Sequence, residues 1–157
     1  MIHFHRTREI KASPEEVWAI MGRFMHIDEF APLVSSVEAL TGGENGVGSK
    51  RRCNFDDGSS MVEEVTNWEV GRGYRVHLLE TDPMPLKEAY AELSIQPLSS
   101  GRSQVVWSMD YRIKYGPLGW ILGQTMMKLM MRKVLDRNLQ GLADQVRLAQ
   151  SNAVLVG

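Results

Sequence analysis

Gly48-Ser49-Lys50-Arg51-Arg52-Cys53-Asn54-Phe55-Asp56-Asp57-Gly58-Ser59-Ser60-Met61-Val62-Glu63-Glu64-Val65 reads as a β-hairpin, with two strand-like runs meeting at an Asp-Asp-Gly turn. With Gly58 as the positive-φ member of a three-residue turn, Phe55 pairs with Ser59, Cys53 with Met61 and Arg51 with Glu63. One face of the ribbon then carries Cys53, Phe55, Met61 and Val65 together with Arg51 and Glu63. A two-residue Asp57-Gly58 turn instead pairs Arg52 with Glu63 and Asn54 with Met61. The first register is preferred because it sets apolar residues against apolar ones; the second stays open. An arginine opposite a glutamate on an otherwise apolar face is a candidate polar anchor, since buried charge is tolerated only when paired.

Working outward toward the start, Ile2 to Ile10 reads as a strand, followed by Ser13-Pro14-Glu15-Glu16. Ser13 as a hydroxyl cap, Pro14 at the first helical position and Glu16 completing a capping box predict a short helix through Val17, Trp18, Ile20 and Met21. A second helical piece is expected over Met25 to Phe30, before Pro32. Strands are expected at Val34–Leu40, Gly48–Phe55, Ser60–Trp68, Tyr74–Glu80, Lys87–Gln96 and Ser103–Lys114. The separators are Thr41 to Gly46, Gly71-Arg72-Gly73 and Ser99-Ser100-Gly101. In the last strand Val105, Trp107, Met109, Tyr111 and Ile113 alternate with polar residues, Val106 excepted, so one face is dry and one is wet.

Gly116-Pro117 breaks that strand and opens a long helix from about Leu118 to about Ala149. At about 100° per residue, its first half spreads apolar side chains over roughly 220°, wider than one sheet requires. Met127, Met131 and Val134 form a seam common to both halves. The extra stripe of Leu118, Leu122, Met126, Leu129 and Met130 needs a cavity, a partner subunit or a membrane to cover it. Four methionines within six residues suit a compliant apolar wall, although such residues also simply fill cores.

The totals set limits on function. A chain of 157 residues fits one domain, taken as 1–150, with Ser151 to Gly157 a frayed tail. A formal net charge of −1 gives no basic surface for nucleic acid. The lone Cys53 excludes an internal disulfide and a cysteine-cluster metal site and fits a reducing compartment. With a polar first segment where a signal peptide would be apolar, the expected location is cytoplasmic. Leu118 to Met131 is interrupted by Gln124 and Lys128 and is shorter than the roughly 20 residues a spanning helix needs, so no integral membrane association is expected. His3 and His5 have the spacing of two metal ligands on one strand face but no accompanying cluster, so no metal is assigned. Phosphate-loop, GxSxG and HExxH motifs are missing, and no cofactor is indicated.

The order strand, two short helices, six strands and a long C-terminal helix resembles the START-like, or SRPBCC, superfamily with its helix-grip fold. Ala12-Ser13-Pro14-Glu15-Glu16-Val17-Trp18 is similar to that superfamily's opening, and Phe30-Ala31-Pro32 to its turn before the second strand. Gly48-Ser49 with Arg51 and then Glu63 resembles the hairpin of its polyketide cyclase/dehydrase-like branch, and Tyr115-Gly116-Pro117-Leu118-Gly119 the entry to the last helix. The likeness runs from about Ile2 to Val146. It implies an α+β fold in which a curved seven-stranded antiparallel sheet wraps the C-terminal helix, with a deep apolar cavity between them. The implied walls are Phe55, Met61, Val65, Trp107, Met109, Tyr111, Leu122, Met126 and Met130, with Arg51 and Glu63 as the polar end. Val76 and Leu78, or alternatively His77, join them from the fifth strand.

Such a scaffold hosts many functions, so chemistry has to be read from the site. The leading expectation is binding of a small hydrophobic or aromatic molecule, such as a lipid, quinone or polyketide. One alternative is a cyclase or dehydratase in which Arg51 stabilises an enolate while Glu63 or a tyrosine moves protons. Another is a co-chaperone-like or respiratory-chain accessory domain that meets a protein partner through its methionine stripe. For Arg51 and Glu63 the competing structural reading is an ion pair that only fixes the hairpin.

Overall fold

The computed structural model describes residues 1–43 and 45–156. Glu44, in the expected glycine-rich turn, and Gly157, at the end of the expected tail, lie outside the described residues. The chain begins with β1 (Ile2–Ile10), α1 (Pro14–Met21) and a 3₁₀ segment (Phe24–Glu29). It continues through β2 (Val34–Ala39), β3 (Lys50–Phe55), β4 (Ser60–Glu69), β5 (Gly73–Glu80), β6 (Leu86–Pro97) and β7 (Ser103–Ile113). It ends with α2 (Gly116–Leu122), a π-helical turn (Gly123–Met127) and α3 (Lys128–Val156).

The seven strands form one antiparallel sheet in the order β1-β7-β6-β5-β4-β3-β2. Register breaks on β4 between Val62 and Glu63 and between Val65 and Asn67 bend the ribbon, as β-bulges do. Alternate residues of β1, β5, β6 and β7 are buried on the face that α1 and α3 cover, among them Phe4, Val76, Leu93 and Val105. The α1 start is capped as its sequence predicts: the Glu16 amide donates to Ser13 Oγ at 3.2 Å, and Ser13 N donates to Glu16 Oε1 at 3.2 Å. Gln150 Nε2 donates to Glu16 Oε2 and to the Lys11 carbonyl, each at 3.0 Å, tying the far end of α3 to this corner.

The hairpin adopts the three-residue turn. Phe55 N donates to Ser59 O at 2.9 Å, Gly58 has φ 89°, Cys53 lies opposite Met61 and Arg51 opposite Glu63. The fifth strand buries Val76 and Leu78, while His77 stacks on Tyr90 of the opposite face with ring centroids 4.6 Å apart.

Two differences from the sequence reading concern the last helix. It is interrupted by the π turn, where Thr125 Oγ1 donates to the Ile121 carbonyl at 2.9 Å and competes with the regular backbone ladder. It also runs through Val156, so the stretch expected to fray after residue 150 continues the helix; no glycine or proline stands between Gly141 and Gly157 to stop it. Met127, Met131, Leu135, Leu139, Leu142 and Val146 are its buried stripe.

α3 approaches the 3₁₀ segment so closely at Gly141 that an added Cβ would lie 1.9 Å from the Phe30 carbonyl oxygen. Alanine normally favours a helix interior over glycine by about 1 kcal/mol. Here the clash reverses the sign: Gly141→Ala is expected to destabilise by about 1–3 kcal/mol, read as a lower Tm in thermal unfolding followed by circular dichroism.

Candidate functional site

Arg51 and Glu63 face each other across β3 and β4 and are 1% and 6% exposed. Arg51 Nε donates to Glu63 Oε2 at 2.6 Å, and Nη2 lies 2.5 Å from the same oxygen. Nη1 donates to the Phe24 carbonyl, and the guanidinium carbon sits 3.9 Å above the centre of the Phe24 ring. Every guanidinium nitrogen is therefore engaged within the protein. Burial opposes the positive charge of Arg51, but the adjacent Glu63 carboxylate overcomes it and raises the Arg51 pKa.

Around this pair lies a cluster that the sequence reading did not assemble. Phe24 meets Tyr74 edge-on at 5.7 Å, Trp68 stacks on Tyr74 at 5.2 Å, and Trp18 meets Trp68 at 5.2 Å. The Tyr74 hydroxyl is buried in the field of Arg51 and Glu63 yet makes no well-formed hydrogen bond. Cys53 Sγ is 3.9 Å from Glu63 Oε2. Burial, followed by the Glu63 charge, pushes the Cys53 thiol up to about 12. Burial likewise pushes the Tyr74 phenol to about 12, against the opposing pull of Arg51.

The expected wall residues divide into three groups. Val65, Trp107, Met109 and Tyr111 are buried on the sheet face that carries the helices. Phe55 and Met61, near the hairpin tip, and Leu122, at the end of α2, are half-buried. Met126 and Met130 are exposed, at 69% and 46%, while their neighbours Met127 and Met131 face the core. The wide apolar arc thus belongs partly to the outside of the molecule.

Between sheet and helix, two further buried polar atoms have no hydrogen-bond partner among the described residues: Trp107 Nε1 on β7 and Asn138 Oδ1 on α3. Trp107 offers a donor and Asn138 an acceptor, and leaving either unmet in a dry interior costs free energy. Asn138 was legible in principle as the one polar residue on the stripe of Met131, Leu135, Leu139 and Leu142. Deeper along α3, Val105 and Leu142 are wholly buried. A depression of about 360 Å³ opens to the surface nearby, lined by Ile2, Tyr111, Ile113, Tyr115 and Trp120 among others. A second, of about 510 Å³, lies away from α3 and is lined by Glu80, Asp82, Lys87 and Lys114 with four neighbours.

The histidines stand apart from this region. His3 contacts Asp110 on the outer face of the sheet, and its ring lies 6.1 Å from that of His5. Arg75 completes the outer cluster, 3.1 Å from Asp110 and over the Tyr90 ring at 4.7 Å. Among the described residues no group of three histidine, cysteine or carboxylate side chains is placed to hold a metal. Among the described residues no helix is long and apolar enough to cross a membrane.

A family model described as polyketide cyclase / dehydrase and lipid transport matches residues 1–147. Among solved structures, the Zhui aromatase/cyclase from a Streptomyces species superposes with TM-score 0.77 at 18% identity, covering 93% of each chain. Norcoclaurine synthase from Thalictrum flavum gives TM-score 0.72 at 17% identity, covering 92% of this chain and 86% of its own. A protein from Thermus thermophilus gives TM-score 0.72 at 21% identity, covering 94% of this chain and 99% of its own. At these identities the structural likenesses establish the helix-grip fold. No curated protein sequence matches the chain.

The buried thiol and phenol set an alkaline limit on stability. In the unfolded chain Cys53 and Tyr74 ionise near 9.0 and 10.0; in the folded chain both do so only near about 12. As pH rises the unfolded state releases these protons first, so their contribution is complete below about pH 9 and is lost progressively toward about pH 12. Denaturant unfolding across that window is expected to show falling stability, and Cys53→Ala combined with Tyr74→Phe to flatten the fall.

Proposed function

Because the chain belongs to the polyketide cyclase / dehydrase and lipid transport family, we propose that it binds a small hydrophobic or aromatic molecule, of lipid, quinone or polyketide type, between the β7 side of the sheet and the α2–α3 helices. The observation that carries this reading is the pair of unmet buried groups, Trp107 Nε1 and Asn138 Oδ1, on surfaces that are otherwise apolar. An apolar lining with a few convergent polar groups is what orients a small guest. Met109, Tyr111 and Leu122 supply the apolar surface next to Trp107, with Phe55, Met61 and Val65 at the hairpin side. Entry is by way of the depression beside Tyr111 and Trp120, where α2 and the π turn cover the sheet.

The Arg51–Glu63 pair lies on β3 and β4, separated from β7 by β5 and β6, and anchors the hairpin. Catalysis through Arg51 would require a guanidinium N–H directed at a substrate oxygen, but three of its five N–H groups are directed at Glu63 and the Phe24 carbonyl and the side chain is 1% exposed. That commitment favours a binding protein over a cyclase or dehydratase acting through this pair.

The test is a fluorescence titration with decylubiquinone, palmitic acid and an anthraquinone as separate probes. Saturable 1:1 binding of at least one probe at micromolar concentration is expected, with quenching of Trp107 by a quinone and loss of that quenching in Trp107→Phe. Asn138→Leu is expected to weaken binding while leaving the Tm unchanged or higher, since it removes an unmet polar atom. Absence of saturable binding by all three probes contradicts the proposal.

A further inference from the structure

We propose that α2, the π turn and the first turns of α3 form a face that docks reversibly on an anionic lipid bilayer, lying in its surface without crossing it. The inference stands on the outside of the molecule and does not require a guest inside it.

Every exposed position of α2 after Gly116 is apolar: Pro117, Leu118, Trp120 and Ile121. The exposure is large, 77% for Leu118, 58% for Trp120 and 55% for Ile121, and it continues through Met126 at 69% and Leu129 at 61%. A soluble surface helix normally turns such residues inward. α2 cannot rotate to hide them, because its buried side is committed at Gly119, where an added Cβ would stand 1.9 Å from the Lys114 carbonyl oxygen. Tyr115, 72% exposed, stands at the base of the same face, so its two aromatic side chains are of the kind that settle at a membrane–water boundary.

Charge selects among possible occupants. Residues 111–135 contain Arg112, Lys114, Lys128, Arg132 and Lys133 and no aspartate or glutamate, whereas the whole chain has 19 acidic residues and a formal net charge of −1. Arg112 and Lys114 are drawn to Glu88 and Asp82 at 3.7 and 3.8 Å. Among the described residues Lys128, Arg132 and Lys133 make no ion pair. An apolar strip with unpaired cations beside it complements acyl chains topped by anionic headgroups. A second copy of the chain would bring a like-charged face against this one, which a symmetric dimer must do. Beyond Lys133 the exposed side of α3 turns to mixed charge and polar groups, with Asp136, Arg137 and Gln140, so the apolar strip ends there.

The test is co-sedimentation of the full chain with vesicles of phosphatidylcholine alone and of phosphatidylcholine with a third phosphatidylglycerol. Binding to the anionic vesicles, weakening steeply with added salt, and little binding to the neutral ones is expected. A variant with Lys128→Gln, Arg132→Gln and Lys133→Gln should bind about a hundredfold more weakly, and one with Leu118→Ser and Leu129→Ser at least about tenfold more weakly. All five positions lie on the helix surface or at its margin, so unchanged thermal unfolding verifies the fold. On the unmodified chain, tryptophan emission should shift to the blue with anionic vesicles, and Trp120→Phe should remove the shift. Equal binding to both vesicle types, indifference to both variants, or no vesicle binding with self-association through this face overturns the proposal. So does retention of the chain by polyglutamate through this face with no affinity for anionic vesicles.

Discussion

The Arg51–Glu63 pair is the constraint on which one end of the molecule depends. A charge buried to 1% exposure persists only with a partner in good geometry, and here a carboxylate, a backbone carbonyl and an aromatic ring all converge on one guanidinium. The pair fixes the register of β3 on β4, because a slip of one residue would move Arg51 to the other face and leave Glu63 unpaired. It also reaches outside the sheet. Through the Phe24 carbonyl it fastens the 3₁₀ segment to the hairpin, and through the Phe24 ring it joins the stack of Tyr74, Trp68 and Trp18. Breaking one side of such a pair generally costs about 3–5 kcal/mol, whereas replacing both sides with apolar residues can be neutral.

On the other side of the sheet, the end of β7 leads into the last helices. α2 packs against β7 and is joined to it through two consecutive left-handed residues, Tyr115 at φ 79° and Gly116 at φ 58°. Left-handed backbone is uncommon for tyrosine, and an exposed tyrosine held there marks a place where the chain reverses sharply. The reversal presses Gly119 onto the strand end and turns the remaining side chains of α2 outward. One short element thereby presents apolar surface to the exterior.

Much of this was legible in the sequence because it rests on local signals. Ser13, Pro14 and Glu16 announce α1, Gly58 sets the turn and hence the opposition of Arg51 to Glu63, and alternation from Val105 to Ile113 gives the dry face of β7. The direction of β5 was not legible, since Val76, His77 and Leu78 fit either facing until His77 is seen stacked on Tyr90. The π turn was not legible either. Periodicity set Met127 and Met131 on the seam and left Met126 and Met130 on a stripe whose cover it could not name; the family resemblance placed those two on the cavity wall, whereas the structure exposes both. The aromatic cluster around Arg51 joins Trp18, Phe24, Trp68 and Tyr74, which lie far apart in the chain, and periodicity carries no information about contacts at that separation.

The view that the buried ion pair is scaffold, and that a small molecule is held apart from it on the β7 side, is tested most directly by removing both charges together. The measurement is the affinity of the Arg51→Met/Glu63→Leu double variant for decylubiquinone, or for whichever of the three probes binds tightest, beside that of the unmodified chain, with cooperative unfolding verified for each. Affinities within about threefold of each other are predicted, because paired apolar replacements preserve packing while the binding surface remains. A double variant that folds cooperatively but has lost binding would contradict the account and return Arg51 and Glu63 to the site itself.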